Sequence, residues 1–256
     1  MEFYLPLRET ARLLDHALLA EVDARLYCGG LVALKYSAYR PISTLQFFAP
    51  VKGLLDLKQS LRKRPQGLLA ADDEKADLYL EGESIRQYID VGGSEPFLVE
   101  IKAGDLAMRK PPISVAPGFL ALHTEDMLET LFYHVAERGF TDRHRGLLYD
   151  LALVAAHELQ SGSAPLADAY IEAQKGMSNV PEILDELVDG ANFSERIKSN
   201  LTELGASAEM SGLISYGLDV LEWMVMLIKH GDSNAVALLD LYRDCGFGSA
   251  DSQWHK

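Results

Sequence analysis

Gly29 and Gly30 open an apolar stretch, Arg40 follows it, and Thr44 and Gln46 stand two residues apart in the extended segment ISTLQFF. Side chains two apart on a strand share one face. Two carboxylates so placed would grip one cluster of hard divalent cations. Such a cluster makes a phosphorus electrophilic and neutralises a leaving polyphosphate. A glycine pair before a helix lets free backbone N–H groups approach a phosphate. Here positions 44 and 46 are neutral, so they offer hydrogen bonds and no charge for a metal. One further acid, Glu100, lies in the extended run FLVEIK.

Each of these residues also has a plain structural role open to it. Gly29-Gly30 suits a phosphate loop or simply a tight strand-to-helix turn. Thr44 and Gln46 suit a ligand or the open face of a sheet. Glu100 suits a surviving metal ligand or an ion pair. Arg40, just after a helix, suits a phosphate or a carboxylate partner. A second polar group gathers His134, Arg138, Asp142, Arg143, His144 and Arg145. Its arginines would clamp an anion or oppose a helix dipole. Lys58, Arg62, Lys63 and Arg64 form a basic cluster that reads as a solvated helix end. No HExxH pattern and no nucleophile-elbow pattern around Ser161–Ser163 or Ser249 is present.

The elements that must hold these residues follow from periodicity. Helices are expected over 7–23, 31–39 and 51–64, with the second stopping before Pro41. Strands are expected over 23–27, 42–48, 76–80, 84–91, 96–103 and 113–116. Gly92-Gly93-Ser94 makes a hairpin turn. From Thr124, a candidate N-cap, the pattern turns helical: 126–138, 146–160, 166–174, 181–188, 193–204, 209–229 and 233–245. Strand-rich and helical parts that segregate along a chain predict an α+β architecture. The expected division is a mixed α/β domain over 1–120, a helical domain over 121–248 and a loose tail over 249–256.

Bulk properties narrow the classes. The chain has 256 residues, 48% hydrophobic and 24% charged, which are globular values. A net charge of −14 argues against nucleic acid as a general ligand, because that affinity comes from Lys and Arg. Cys28 and Cys245 are the two cysteines and lie far apart, which speaks against a disulfide framework or a zinc site. Cys28 reads as a small buried hydrophobe. The apolar stretch 218–228 is broken by Asp219 and Glu222 and is too short to span a bilayer. No membrane role and a cytoplasmic address are expected.

Residues 29–48 resemble the signature of the AbiEii/AbiGii-type nucleotidyltransferases, toxins of abortive-infection toxin–antitoxin pairs. That signature runs roughly GGTALAL, an Arg, then SxDLDFF. Gly29, Gly30, Leu34, Arg40, Leu45, Phe47 and Phe48 suit it. Thr44 and Gln46 fall on its two aspartates, Leu31 on its Thr or Ser, and Ile42 on its Ser. Glu100 suits its acidic VKIEI strand. Asp126, Arg138, Arg145, Asp150 and Leu151 suit its later helices, with Leu131 where the family has a lysine. The similarity spans roughly residues 10 to 155. It implies a nucleotidyltransferase-like mixed β-sheet with helices in the N-terminal half and a helical C-terminal half. It implies nucleotide contacts at Gly29, Gly30 and Arg40. The lost aspartates imply no bound metal and a degenerate enzyme that binds a nucleotide, an antitoxin or another protein. Two competitors stand beside this expectation. One is an active Mg-dependent enzyme with a rearranged site using Glu100 and Asp90 or another acid. The other is a helical interaction protein working through its C-terminal half.

Overall fold

The computed structural model describes residues 4–36, 38–71, 77–92, 95–104, 108–138, 145–161, 164–176 and 193–229. The expected helices over 181–188 and 233–245, the tail over 249–256 and residues Asp142, Arg143, His144 and Cys245 lie outside them. The chain divides into two compact units, 1–126 and 127–256. Among the described residues no helix is long and apolar enough to cross a membrane.

The first unit is a seven-stranded mixed sheet with helices packed against it. Its strands are β1 (Arg25–Tyr27), β2 (Thr44–Ala49), β3 (Asp77–Glu81), β4 (Ser84–Ile89), β5 (Phe97–Ala103), β6 (Ile113–Val115) and β7 (Phe119–Ala121). They lie in the order β3-β4-β5-β2-β1-β7-β6. β2 runs parallel to β5 and antiparallel to β1. The helices are α1 (Tyr4–Leu13), α2 (His16–Glu21), α3 (Cys28–Lys35) and α4 (Val51–Leu61).

Strict alternation gives the sheet two unlike faces. Leu45, Phe47, Ala49, Ile85, Val99 and Ile101 are buried on one face, where α1 and α4 pack on β5 and α3 packs on β2. Gln87 lies fully buried among these apolar neighbours. Its amide accepts from Leu68 N–H at 2.6 Å and donates to the Gln66 carbonyl at 3.1 Å, so no polar atom is stranded. The other face carries Thr44, Gln46, Arg86, Tyr88, Glu100 and Lys102.

Three expectations shift. The helix expected over 7–23 breaks in two, because Leu14 bridges Leu69 and Asp15 caps α2 by accepting from Leu18 N–H at 3.0 Å. A short carboxylate competes well for such orphan N–H groups. The helix expected over 31–39 runs instead from Cys28 to Lys35. A short strand, β7, follows β6 unforeseen, since three residues are too few to show a period.

The second unit holds the rest of α5 (Thr124–Arg138), then α6 (Arg145–Ser161), α7 (Ala164–Gly176), α8 (Phe193–Glu203) and α9 (Ala208–Lys229). α9 lies along α6 so closely that a Cβ on Gly217 would fall 1.8 Å from the Ala152 carbonyl oxygen. Leu131, at the family's lysine position, is fully buried, and Asp150 is 1% exposed.

Candidate functional site

Strand register places one row of side chains across the polar face. Tyr79 pairs with Arg86, Arg86 with Glu100, Glu100 with Gln46, and Gln46 with Tyr27. Two of the sequence candidates therefore meet. Gln46 Nε2 donates to Glu100 Oε2 at 3.1 Å. Thr44 lies on the same face, two residues along β2.

Glu100 has two further partners. Arg86 Nε donates to its Oε1 at 2.9 Å, and Lys102 Nζ reaches its Oε2 at 2.9 Å. The Glu100 side chain is 6% exposed, against 39% for Arg86 and 37% for Lys102. Burial alone would raise the Glu100 carboxyl. The hydrogen bonds from Lys102, Gln46 and Arg86 outweigh it and hold the group below the ordinary glutamate range. Glu100 is thus an ionised, buried carboxylate under two cations that reach solvent. Arg86 also pairs with Glu81 at 3.3 Å on the outer strand.

The glycine pair sits beneath β2 and does not form a left-handed turn. Both glycines belong to the first turn of α3, and the left-handed position falls on Cys28, with φ of 56°. Gly30 is needed for space. A Cβ there would lie 2.9 Å from Leu45 Cδ2 and 3.6 Å from the Thr44 carbonyl oxygen. This close approach brings the start of α3 against the strand that carries Thr44 and Gln46. Beside it Tyr27 stacks on Phe48, with ring centroids 3.7 Å apart.

Arg40 leans on Tyr39, its Nε donating to the phenol oxygen at 3.2 Å and its guanidinium 5.7 Å from the ring centroid. Asp90 is four residues along β4 from Arg86, about 13 Å at strand rise. Its Oδ1 accepts from Gly92 N–H at 2.8 Å, so it serves a local turn and does not join Glu100. Asp126 accepts from Lys110 N–H at 2.8 Å. In the basic cluster at the end of α4, Lys58 donates to the Gly82 carbonyl at 2.6 Å and Arg64 bridges Asp15 at 2.9 Å, while Arg62 and Lys63 are exposed. His134 faces Glu137 at 3.7 Å. The side chains of Arg138 and Arg145 lie outside the described residues.

Arg86 and Lys102 are the residues that sequence patterning passed over. Lys102 was within reach, since it follows Glu100 by two on a strand and must share its face. Arg86 needed the β4–β5 register. Among the described residues, no three His, Cys, Asp or Glu side chains gather as a metal would require. The magnesium ions that the active-enzyme alternative requires do not fit this donor set. The row offers one carboxylate, and two cations already neutralise it.

No family model and no curated protein matches this chain. Two solved structures are similar in outline. JHP933 from Helicobacter pylori shares 15% identity at a TM-score of 0.43, covering 89% of this chain and 95% of its own. A candidate nucleotidyltransferase from H. pylori shares 16% identity at a TM-score of 0.42, covering 86% and 95%. At these values no residue role passes from either structure to this one.

Proposed function

We propose that this is a nucleotidyltransferase-fold protein that has lost two-metal catalysis and works by binding. Its ligand is a nucleotide or a protein partner, and its setting is a toxin–antitoxin or phage-defence system. The observation that carries this proposal is the state of Glu100. The signature's two aspartates are replaced by Thr44 and Gln46, and the remaining acid of the row is already bound by Arg86 and Lys102.

Electrostatics support the loss of metal. A dication close enough to bind Glu100 would be repelled by both Arg86 and Lys102, which already contact that carboxylate. A neutral threonine and glutamine do not offset that repulsion. Hard divalent ions bind where anionic oxygens outnumber competing cations, and this row has the opposite balance.

Incubation with Mg²⁺ or Mn²⁺, labelled nucleotides and RNA acceptors is expected to give no transfer. Robust transfer that disappears in Glu100→Ala would sink the proposal. The toxin–antitoxin setting has its own test. A small DNA-binding antitoxin encoded next to this chain supports that lineage, and its absence from every such neighbourhood counts against it.

A further inference from the structure

We infer that Arg86 and Lys102 take the place of the missing divalent cations, so that this face binds a polyphosphate without metal. The inference rests on the nucleotide arm of the proposal above and names what that arm recognises.

Charge makes the case. A working two-metal site sets two dications against three carboxylates and turns one net positive charge toward the polyphosphate. Here a guanidinium and an ammonium oppose the single carboxylate of Glu100. The net charge is the same, with no ion required. An aspartate at 46 would cancel the surplus, and glutamine does not. Glu81 adds a negative charge beside Arg86 and offsets part of this surplus, but at 55% exposed it is screened by solvent more than Arg86 at 39% or Lys102 at 37%.

Geometry and donor supply agree with the charge. Lys102 carries three N–H donors and Arg86 carries five, and phosphate oxygens accept well from both groups. Lys102 spends one on Glu100, and Arg86 spends Nε on Glu100 and Nη1 on Glu81. Donors on both side chains remain for a ligand, and more than a third of each side chain is open to solvent. Glu100 is a positioning residue: tied to β2 through Gln46, it holds the two cations over the face.

Calorimetry on the full chain tests this with ATP, inorganic pyrophosphate and adenosine, each in EDTA and in excess Mg²⁺. ATP and pyrophosphate are expected to bind in EDTA, and Mg²⁺ to leave the affinity unchanged or weaken it, because the ion masks ligand charge. Adenosine is expected not to bind. Lys102→Ala and Arg86→Ala should each weaken binding at least tenfold, and Lys102→Arg should retain it. Thermal melts of each variant show whether it is folded. Should an alanine variant fail to fold, Lys102→Met keeps the side-chain packing and removes the charge. Binding of ATP without pyrophosphate points recognition at the nucleoside and overturns the inference. Binding that requires Mg²⁺ overturns the inference and leaves the nucleotide arm standing. Affinities untouched by the Lys102 and Arg86 variants place any site elsewhere and overturn it too. No binding under either condition removes both the inference and the nucleotide arm, leaving the protein-partner arm.

Discussion

Glu100 holds three strands together, since its partners come from β2, β4 and β5 itself. Replacing it with Gln keeps the shape, leaves Lys102 without its carboxylate partner and leaves Arg86 with Glu81 alone. Hydrogen bonds to charged groups contribute about 1.5–3 kcal/mol, and Glu100→Gln is expected to lose an amount of that order in urea unfolding. The pH dependence has a definite sign. The folded carboxyl lies below its ordinary value of 4.5, so its stabilisation is fully present above that pH and is lost as pH falls through the depressed value. The melting-temperature gap between the parent and Glu100→Gln should therefore be flat above pH 4.5 and close in more acid solution. A gap that holds constant into strong acid would contradict the assignment. The same residues oppose a metal site built at positions 44 and 46. Thr44→Asp with Gln46→Asp alone should not bind Mn²⁺ measurably, because both cations remain. Adding Arg86→Ala and Lys102→Ala should create binding that Mn²⁺ electron paramagnetic resonance detects. Tight binding by the double variant alone would show that the cations do not govern the site.

Among the elements, the contact between α3 and β2 lies close beside the row. Gly30→Ala pushes a methyl to 2.9 Å from the buried Leu45 side chain, whereas Gly53→Ala pushes one to 2.4 Å from the Val22 backbone oxygen. A side chain can yield and a backbone carbonyl cannot. Overpacking costs about 1–3 kcal/mol. Gly30→Ala is expected near the lower end and Gly53→Ala at or above the upper, and chemical denaturation of both variants gives the order. Most elements could be found from pattern. β2 announces itself by alternating Leu45, Phe47 and Ala49, and α4 by Leu54, Leu57 and Leu61. What pattern missed was set by non-local contacts. Leu14 leaves the helical path because Leu69 pairs with it. The three residues of β7 become a strand only because β1 and β6 lie on either side.

On the scale of the molecule, the two units differ in how they are held. The first is tied by a sheet in which β2 meets β5 across about fifty residues of sequence. The second depends on α9 lying along α6, with Ala152 and Gly217 at the closest approach. Deleting everything after Leu159 would strip that cover from Leu148, Tyr149, Leu151 and Val154, all buried in the intact chain. Such a truncation is expected to bind a hydrophobic dye and to lose part of its cooperative melt. A sharp melt with no dye binding would show that α6 is covered by other means. For this reason the helical half is better tested for partner binding with exposed substitutions such as Trp223→Ala than by removal. By itself the sequence determined the alternation that builds the sheet, the turn to helices after Thr124, and the absence of negative charge at positions 44 and 46, because these are properties of residue type and spacing. Only the tertiary structure decided that Arg86 and Lys102 converge on Glu100. That meeting depends on the register of β4 against β5, and register is fixed by burial of the opposite face, which no local stretch of chain can specify.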